Sequence, residues 1–246
     1  MKWISHGATL GALTLLSLAS AQAQNLNPVR SGLFFGSGSS VNNAQPANQS
    51  YFVGLEEGSE RRNYFVFNLA GISSPITGAT LQLYNPIAPP DSNNGYFGDA
   101  TETYELTSTT ANPTSIQGGF GAGAPGLAVF NSLGTGTSFG TITASTASNG
   151  QTLNLTFNPA GLAALNSALG GLVAFGGRIT TIVGPDDQFL FNAVDPTGGL
   201  PINNTPPVVL SLSTSGGGAA PEPGTMAFLL LGGTLVLTRR RSRDKK

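Results

Sequence analysis

Carboxylates and tyrosines are the residues of this 246-residue chain that could do chemistry. Between Gln24 and Ser215 there is no histidine, cysteine or lysine; the one histidine of the chain is His6. A Ser-His-Asp triad, a cysteine nucleophile, a Schiff-base lysine and a histidine-ligated zinc are therefore excluded from this segment. General acid–base work falls to Asp, Glu or Tyr. Glu56, Glu57 and Glu60 form one acidic cluster, and Asp99, Glu102 and Glu105 form another. Either could supply the two carboxyl groups of a glycoside hydrolase or lyase, but sequence spacing does not fix the carboxyl separation that such chemistry needs. Acidic residues clustered near turns are, however, usually solvated surface.

Calcium is the candidate cation. Asp91-Ser92-Asn93-Asn94-Gly95-Tyr96-Phe97-Gly98-Asp99 is rich in oxygen donors, with Glu102 just beyond. Counting from Asp91, the residues Asn93, Asp99 and Glu102 fall at positions 3, 9 and 12 of an EF-hand-like loop. The loop departs from that pattern. Gly95 stands at the fifth position, Tyr96 replaces the glycine of the sixth, and no flanking helices are expected. Otherwise no cofactor is expected. Tyr84, Tyr96 and Tyr104 are the candidates for a glycan site, which needs exposed aromatic faces beside polar groups. Aromatic residues in strands also fill cores and cross-strand pairs.

Charge excludes another class. The net charge of −1 conceals segregation, because six of the 11 basic residues lie within Arg239–Lys246. From Gln24 to Ser215, four arginines face ten carboxylates, a balance of −6. A nucleic-acid binder needs clustered Lys and Arg to neutralise phosphates, and this segment has no such cluster.

The elements that must position these residues read as strands. Phe65, Phe67 and Leu69 alternate with Tyr64, Val66 and Asn68; Ala79, Leu81 and Leu83 alternate with Thr80, Gln82 and Tyr84. Leu153, Leu155 and Phe157 alternate with polar residues, and Glu102, Tyr104 and Leu106 oppose Thr103 and Glu105. Further strands are expected at Tyr51–Leu55, Ser138–Ala144, Leu172–Thr180, Gln188–Asn192 and Val208–Ser213. Turn-forming clusters such as Ile87–Asn94 and Gly118–Gly126 separate them. One short helix is expected: Asn158 caps it, Pro159 opens it and Gly170-Gly171 stops it. With 34 glycines, 16 prolines and a 9% charged fraction, the composition disfavours a helical bundle. The expected fold is all-β: a single β-sandwich, jelly-roll-like, with a partly open barrel as the alternative.

The two ends read as addresses. Lys2 precedes an apolar run at Ala8–Leu18, too short to span a bilayer comfortably. Ala21 and Ala23 then stand at the −3 and −1 positions for signal peptidase, so residues 1–23 are expected to be a signal peptide. Cleavage after Ala21 is the alternative. Residues 24–214 form the expected ectodomain, and residues 215–220 a Gly/Ala-rich linker. Pro221-Glu222-Pro223 follows, then an apolar segment, then Arg239, Arg240, Arg241 and Arg243. As a helix, Thr225–Thr238 would reach only about 21 Å, short of the roughly 30 Å hydrocarbon core. The basic block would stay on the cytoplasmic side. This is expected to be a short transmembrane helix suited to temporary retention.

Pro221-Glu222-Pro223, the short apolar segment and the arginine cluster, in that order at the C-terminus, resemble the PEP-CTERM protein-sorting signal of Gram-negative bacteria that make extracellular polysaccharide. The resemblance covers residues 221–246. It implies recognition by exosortase, an inner-membrane cysteine transpeptidase, with cleavage near Pro221-Glu222-Pro223. It further implies transient inner-membrane anchoring, then delivery to the cell surface or extracellular matrix. Tyr64–Leu69 with Ile76–Leu83, and Leu169-Gly170-Gly171 with Gly176-Gly177, loosely resemble uncharacterised globular domains of other PEP-CTERM proteins; this implies fold and location only. The expectation is a non-enzymatic structural or adhesive protein of an exopolysaccharide matrix, processed by signal peptidase and exosortase. The alternatives are a carbohydrate-binding module and a carboxylate-dependent glycoside hydrolase or lyase.

Overall fold

Alternation in the sequence becomes two antiparallel sheets in the computed structural model, which describes residues 22–44, 51–87, 95–191 and 208–215. The strands are β1 (Gln22–Leu26), β2 (Arg30–Phe35), β3 (Ser40–Ala44), β4 (Val53–Glu56), β5 (Ser59–Asn68), β6 (Ile76–Asn85), β7 (Glu102–Ser108), β8 (Ser138–Ala144), β9 (Gln151–Thr156), β10 (Leu172–Ile179), β11 (Gln188–Leu190) and β12 (Val209–Thr214). The helices are α1 (Pro113–Gln117), α2 (Ala124–Ser132) and α3 (Pro159–Ser167). The small sheet runs β1-β12-β6-β9. The large sheet runs β11-β4-β5-β10-β7-β8, with β2 on β5 and β3 on β2. The fold is the expected all-β sandwich.

β5 organises the large sheet because its 10 residues serve three partners. β4 pairs with Ser59–Arg61, β10 with Asn63–Asn68, and β2 with Arg61–Val66. The two-residue turn between β4 and β5, Glu57-Gly58, has φ of 50° and 70°. Positive φ at both positions is what a tight hairpin that follows the strand twist requires.

The main core lies between the sheets. Phe65, Phe67, Tyr104 and Phe175 of the large sheet meet Leu81, Leu83, Leu155, Leu210 and Leu212 of the small one. Phe157 and Phe175 pack edge-to-face with centroids 5.3 Å apart. Each such side chain, fully buried, contributes about 1.5–3 kcal/mol.

A second apolar layer covers the outer face of the large sheet, where α1 and α2 bring Ile116, Val129, Phe130 and Leu133 onto Phe34, Tyr64 and Val66. β5 is thus buried on both faces, which explains why Tyr64-Phe65-Val66-Phe67 is continuously apolar.

Two further helices, α1 and α2, correct the expectation of one. α3 forms as read: the Asn158 side chain accepts from Gly161 N at 2.9 Å, and Pro159 opens the helix. α1 is also capped by an asparagine, Asn112, whose side chain accepts from Thr114 N and Ser115 N. α2 starts inside the glycine-rich stretch taken for a turn. It is held by tertiary contact, because Phe130 is buried and the Arg62 guanidinium lies over its ring at 4.3 Å. Gly126 is required there, since a Cβ would collide with the Gly38 carbonyl. β1, β2 and β3 were not read from the sequence either. The strand expected at Gln188–Asn192 is the shorter β11.

Candidate functional site

Of the four calcium candidates, Asp91 and Asn93 lie outside the described residues. Asp99 sits exposed in a bend, and Glu102 opens β7 fully buried. The Glu102 carboxylate accepts from the Thr181 hydroxyl and from Asp99 N, the latter at 3.4 Å. The Tyr96 hydroxyl donates to the Asp99 carbonyl. These bonds lock the chain entering β7 against the β10–β11 connection. Among the described residues, no three or more His, Cys, Asp or Glu side chains gather where they could hold a metal ion.

The three candidate glycan tyrosines separate. Tyr104 is fully buried. Its hydroxyl donates to Asn63 Oδ1 at 3.0 Å, and its ring meets Phe191 edge-to-face at 5.2 Å. Tyr96 is 4% exposed. The exposed-face reading of both is therefore corrected: the pattern separated the faces of β7 correctly, but Tyr104 lies on the face turned into the sandwich. Burial raises the phenol of Tyr104 above its usual range, and that of Tyr96 too, with Glu102 and Asp99 adding to the effect. Tyr84 alone is half-exposed, on the outer face of the small sheet.

Arginines engage several of the acidic residues. Arg61 pairs with Glu56, and its guanidinium lies 5.0 Å from the Phe35 ring and 4.9 Å from the Phe52 ring. The Glu56 side chain is 4% exposed, and burial holds its carboxyl above the usual range despite the opposing pull of Arg61. Arg62 pairs with Glu60 at 2.8 Å and Arg178 with Glu105 at 3.1 Å. Asp187 accepts from Glu57 N at 2.8 Å, fixing the β4–β5 turn. A cavity of about 210 Å³ opens near Ser108, Thr109, Phe139, Ala164 and Phe175, and no acidic side chain lines it.

The outer face of the small sheet has a different chemistry. Its four strands contain no Asp, Glu, Lys or Arg. Asn25, Ser211, Thr80 and Thr156 follow one another across one rung. Val209, Gln82 and Asn154 form the next, and Tyr84 stands beside Thr152. Ser211 Oγ and Asn25 Oδ1 are 2.8 Å apart. Sequence alternation marked Thr80, Gln82 and Tyr84 as one face, but gave no sign that these strands would be neighbours.

At the N-terminal end, Ala23 lies within β1 opposite Ser213, and Ala21 lies outside the described residues. Cleavage after Ala23 would therefore fall inside β1 and leave Gln24–Leu26 on β12. The expected sorting residues Pro221, Glu222 and Pro223 and the cluster Arg239, Arg240, Arg241 and Arg243 also lie outside the described residues. Among the described residues, no helix is long and apolar enough to cross a membrane. No family model matches the chain, and no curated protein matches it.

Proposed function

We propose that this chain is an exported protein of a Gram-negative cell surface or exopolysaccharide matrix, with a structural or adhesive role. Signal peptidase removes the leader, and exosortase acts on the tail near Pro221-Glu222-Pro223 after transient retention in the inner membrane. The observation that carries this reading is the order of features at the C-terminus: a Gly/Ala linker, Pro-Glu-Pro, a short apolar segment and an arginine cluster. The body suits such a route. Residues Gln22–Ser215 form a compact unit with its own core, and Gln22 of β1 lies opposite Thr214 of β12. Leader and tail are thus joined to the same end of one sheet, and neither junction interrupts the core.

A carboxylate-dependent hydrolase or lyase has less support, because Glu56, Glu60 and Glu105 are each paired with an arginine. Calcium in the Asp91–Glu102 loop would supply a structural clamp at most, since Glu102 already has protein donors. The test is to delete Pro221–Lys246 and follow the product in its host by mass and by fractionation. The deletion should abolish C-terminal processing and change where the protein is retained. An unchanged fate would overturn the sorting assignment.

A further inference from the structure

We propose that the outer face of the β1-β12-β6-β9 sheet is a binding surface for an uncharged polysaccharide, with Tyr84 as its aromatic contact. The proposal rests on the matrix reading above and names the ligand class that such a module would hold.

The first observation is that the two outer faces of the sandwich are treated differently. On the large sheet, α1 and α2 cover Phe34, Tyr64 and Val66. On the small sheet, Thr80, Gln82 and Tyr84 of β6 remain half-exposed, and Thr152, Asn154 and Thr156 of β9 are exposed. None of these six side chains hydrogen-bonds to another described residue. Hydroxyls and amides without partners are free to exchange water for the hydroxyls of a ligand, at little net cost when the new bonds are well formed.

The second observation is charge. The ten carboxylates and four arginines of the body all lie outside these four strands. An uncharged polyol can dock here without desolvating an ion, which would otherwise be the costly step. A polyanion gains no cationic partner on this face and meets a body of net charge −6.

The third is composition. The cores of protein–protein interfaces are enriched in aromatic residues, Met and Arg and depleted in Ser. This face offers Ser, Thr, Asn and Gln around a single tyrosine and the half-buried Val209, which disfavours a protein partner. Within a rung, neighbouring strands lie about 4.8 Å apart. A linear polymer lying across β1, β12, β6 and β9 would therefore meet a polar side chain at each strand. Contacts of this kind are individually weak, and a repeating ligand adds them through effective concentration.

The test is affinity electrophoresis of the full chain in gels containing dextran, amylose or alginate. At least one of the two neutral polymers should retard the chain, and alginate should not. Tyr84→Ala, and Gln82→Glu combined with Asn154→Glu, should each weaken retardation by about tenfold, the effect of one lost contact of ordinary strength. Thr143→Glu, at an exposed position of β8 in the other sheet, should leave it unchanged, and thermal melts should confirm that all variants fold. Migration unaffected by both neutral polymers, retardation by alginate alone, or undiminished binding by the folded β6 and β9 variants would overturn the proposal. Tail processing is read separately, so a chain that is sorted correctly but binds no neutral polymer would sink this inference and leave the sorting assignment standing.

Discussion

Asn63 is the residue on which the buried polar network turns. Its Nδ2 donates to the Tyr51 carbonyl at 2.8 Å, and its Oδ1 accepts from the Tyr104 hydroxyl. The Tyr51 hydroxyl in turn donates to the Tyr84 carbonyl at 2.8 Å, tying the interior of the large sheet to β6. Asn63→Leu should cost roughly 1–3 kcal/mol for each buried group left without a partner. Tyr104→Phe removes only one donor and should cost about 1 kcal/mol; urea unfolding of both variants measures the difference. Glu56 gives a pH signature. Burial raises its pKa above 4.5 in the folded state, so the native state binds this proton more tightly than the unfolded chain does. The associated stability is complete below pH 4.5 and is lost as pH rises through the raised value. Glu56→Gln should lack that component, so the gap between the two stability curves should change across this window. Superimposed pH profiles would show that Glu56 is not the source.

Among the helices, α2 depends most on a neighbour. Its sequence, Ala-Pro-Gly-Leu-Ala-Val-Phe-Asn-Ser, carries no basic residue in the last turn, and no side chain caps its start. Arg62 of β5 supplies the missing cation. Its Nη1 donates to the carbonyls of Phe130 and Asn131 at 3.2 and 3.3 Å, where the helix C-terminus concentrates negative partial charge. Arg62→Met keeps much of the packing and loses these bonds. It should destabilise the protein by about 1–2 kcal/mol, within the range for hydrogen bonds to charged groups. Hydrogen exchange should report faster opening of α2 than of β5; uniform protection would contradict the assigned role. Next to this helix, Gly176 and Gly177 of β10 are spatial necessities. A Cβ on Gly176 would stand 2.5 Å from Leu133 Cα, and one on Gly177 would collide with the Tyr104 hydroxyl.

For the whole molecule, the layers divide the work. The large sheet is covered on both faces at β5 and contains the strand-borne charges, with Arg62 at the C-terminal end of α2 and Arg178 paired across β10 and β7 to Glu105. The small sheet contains both ends of the Gln22–Ser215 unit, with Gln22 opposite Thr214, and leaves a neutral polar face to solvent. At this scale the expected outcome of removing residues 221–246 is a change of destination, with a cooperative unfolding transition retained by the Gln22–Ser215 unit. Fractionation together with a thermal melt of the truncated chain reads both. Loss of cooperative unfolding would mean that the body does not stand on its own core.

Sequence alone determined that this is a β protein. Strand periodicity and turn chemistry are local, so β6, β8 and β10 could be read directly, as could α3 with its Asn158 cap and Pro159 start. It also determined which chemistries the body cannot perform, since those depend on residue types that are absent. Two-residue alternation separates the faces of a strand without saying which face turns inward, so the different fates of Tyr84 and Tyr104 were decided by packing. Likewise α2 became a helix through Arg62 and the apolar outer face of β5, against its own glycine-rich start. The neutral face exists only because β1, β12, β6 and β9, drawn from distant parts of the chain, are hydrogen-bonded side by side in the tertiary structure.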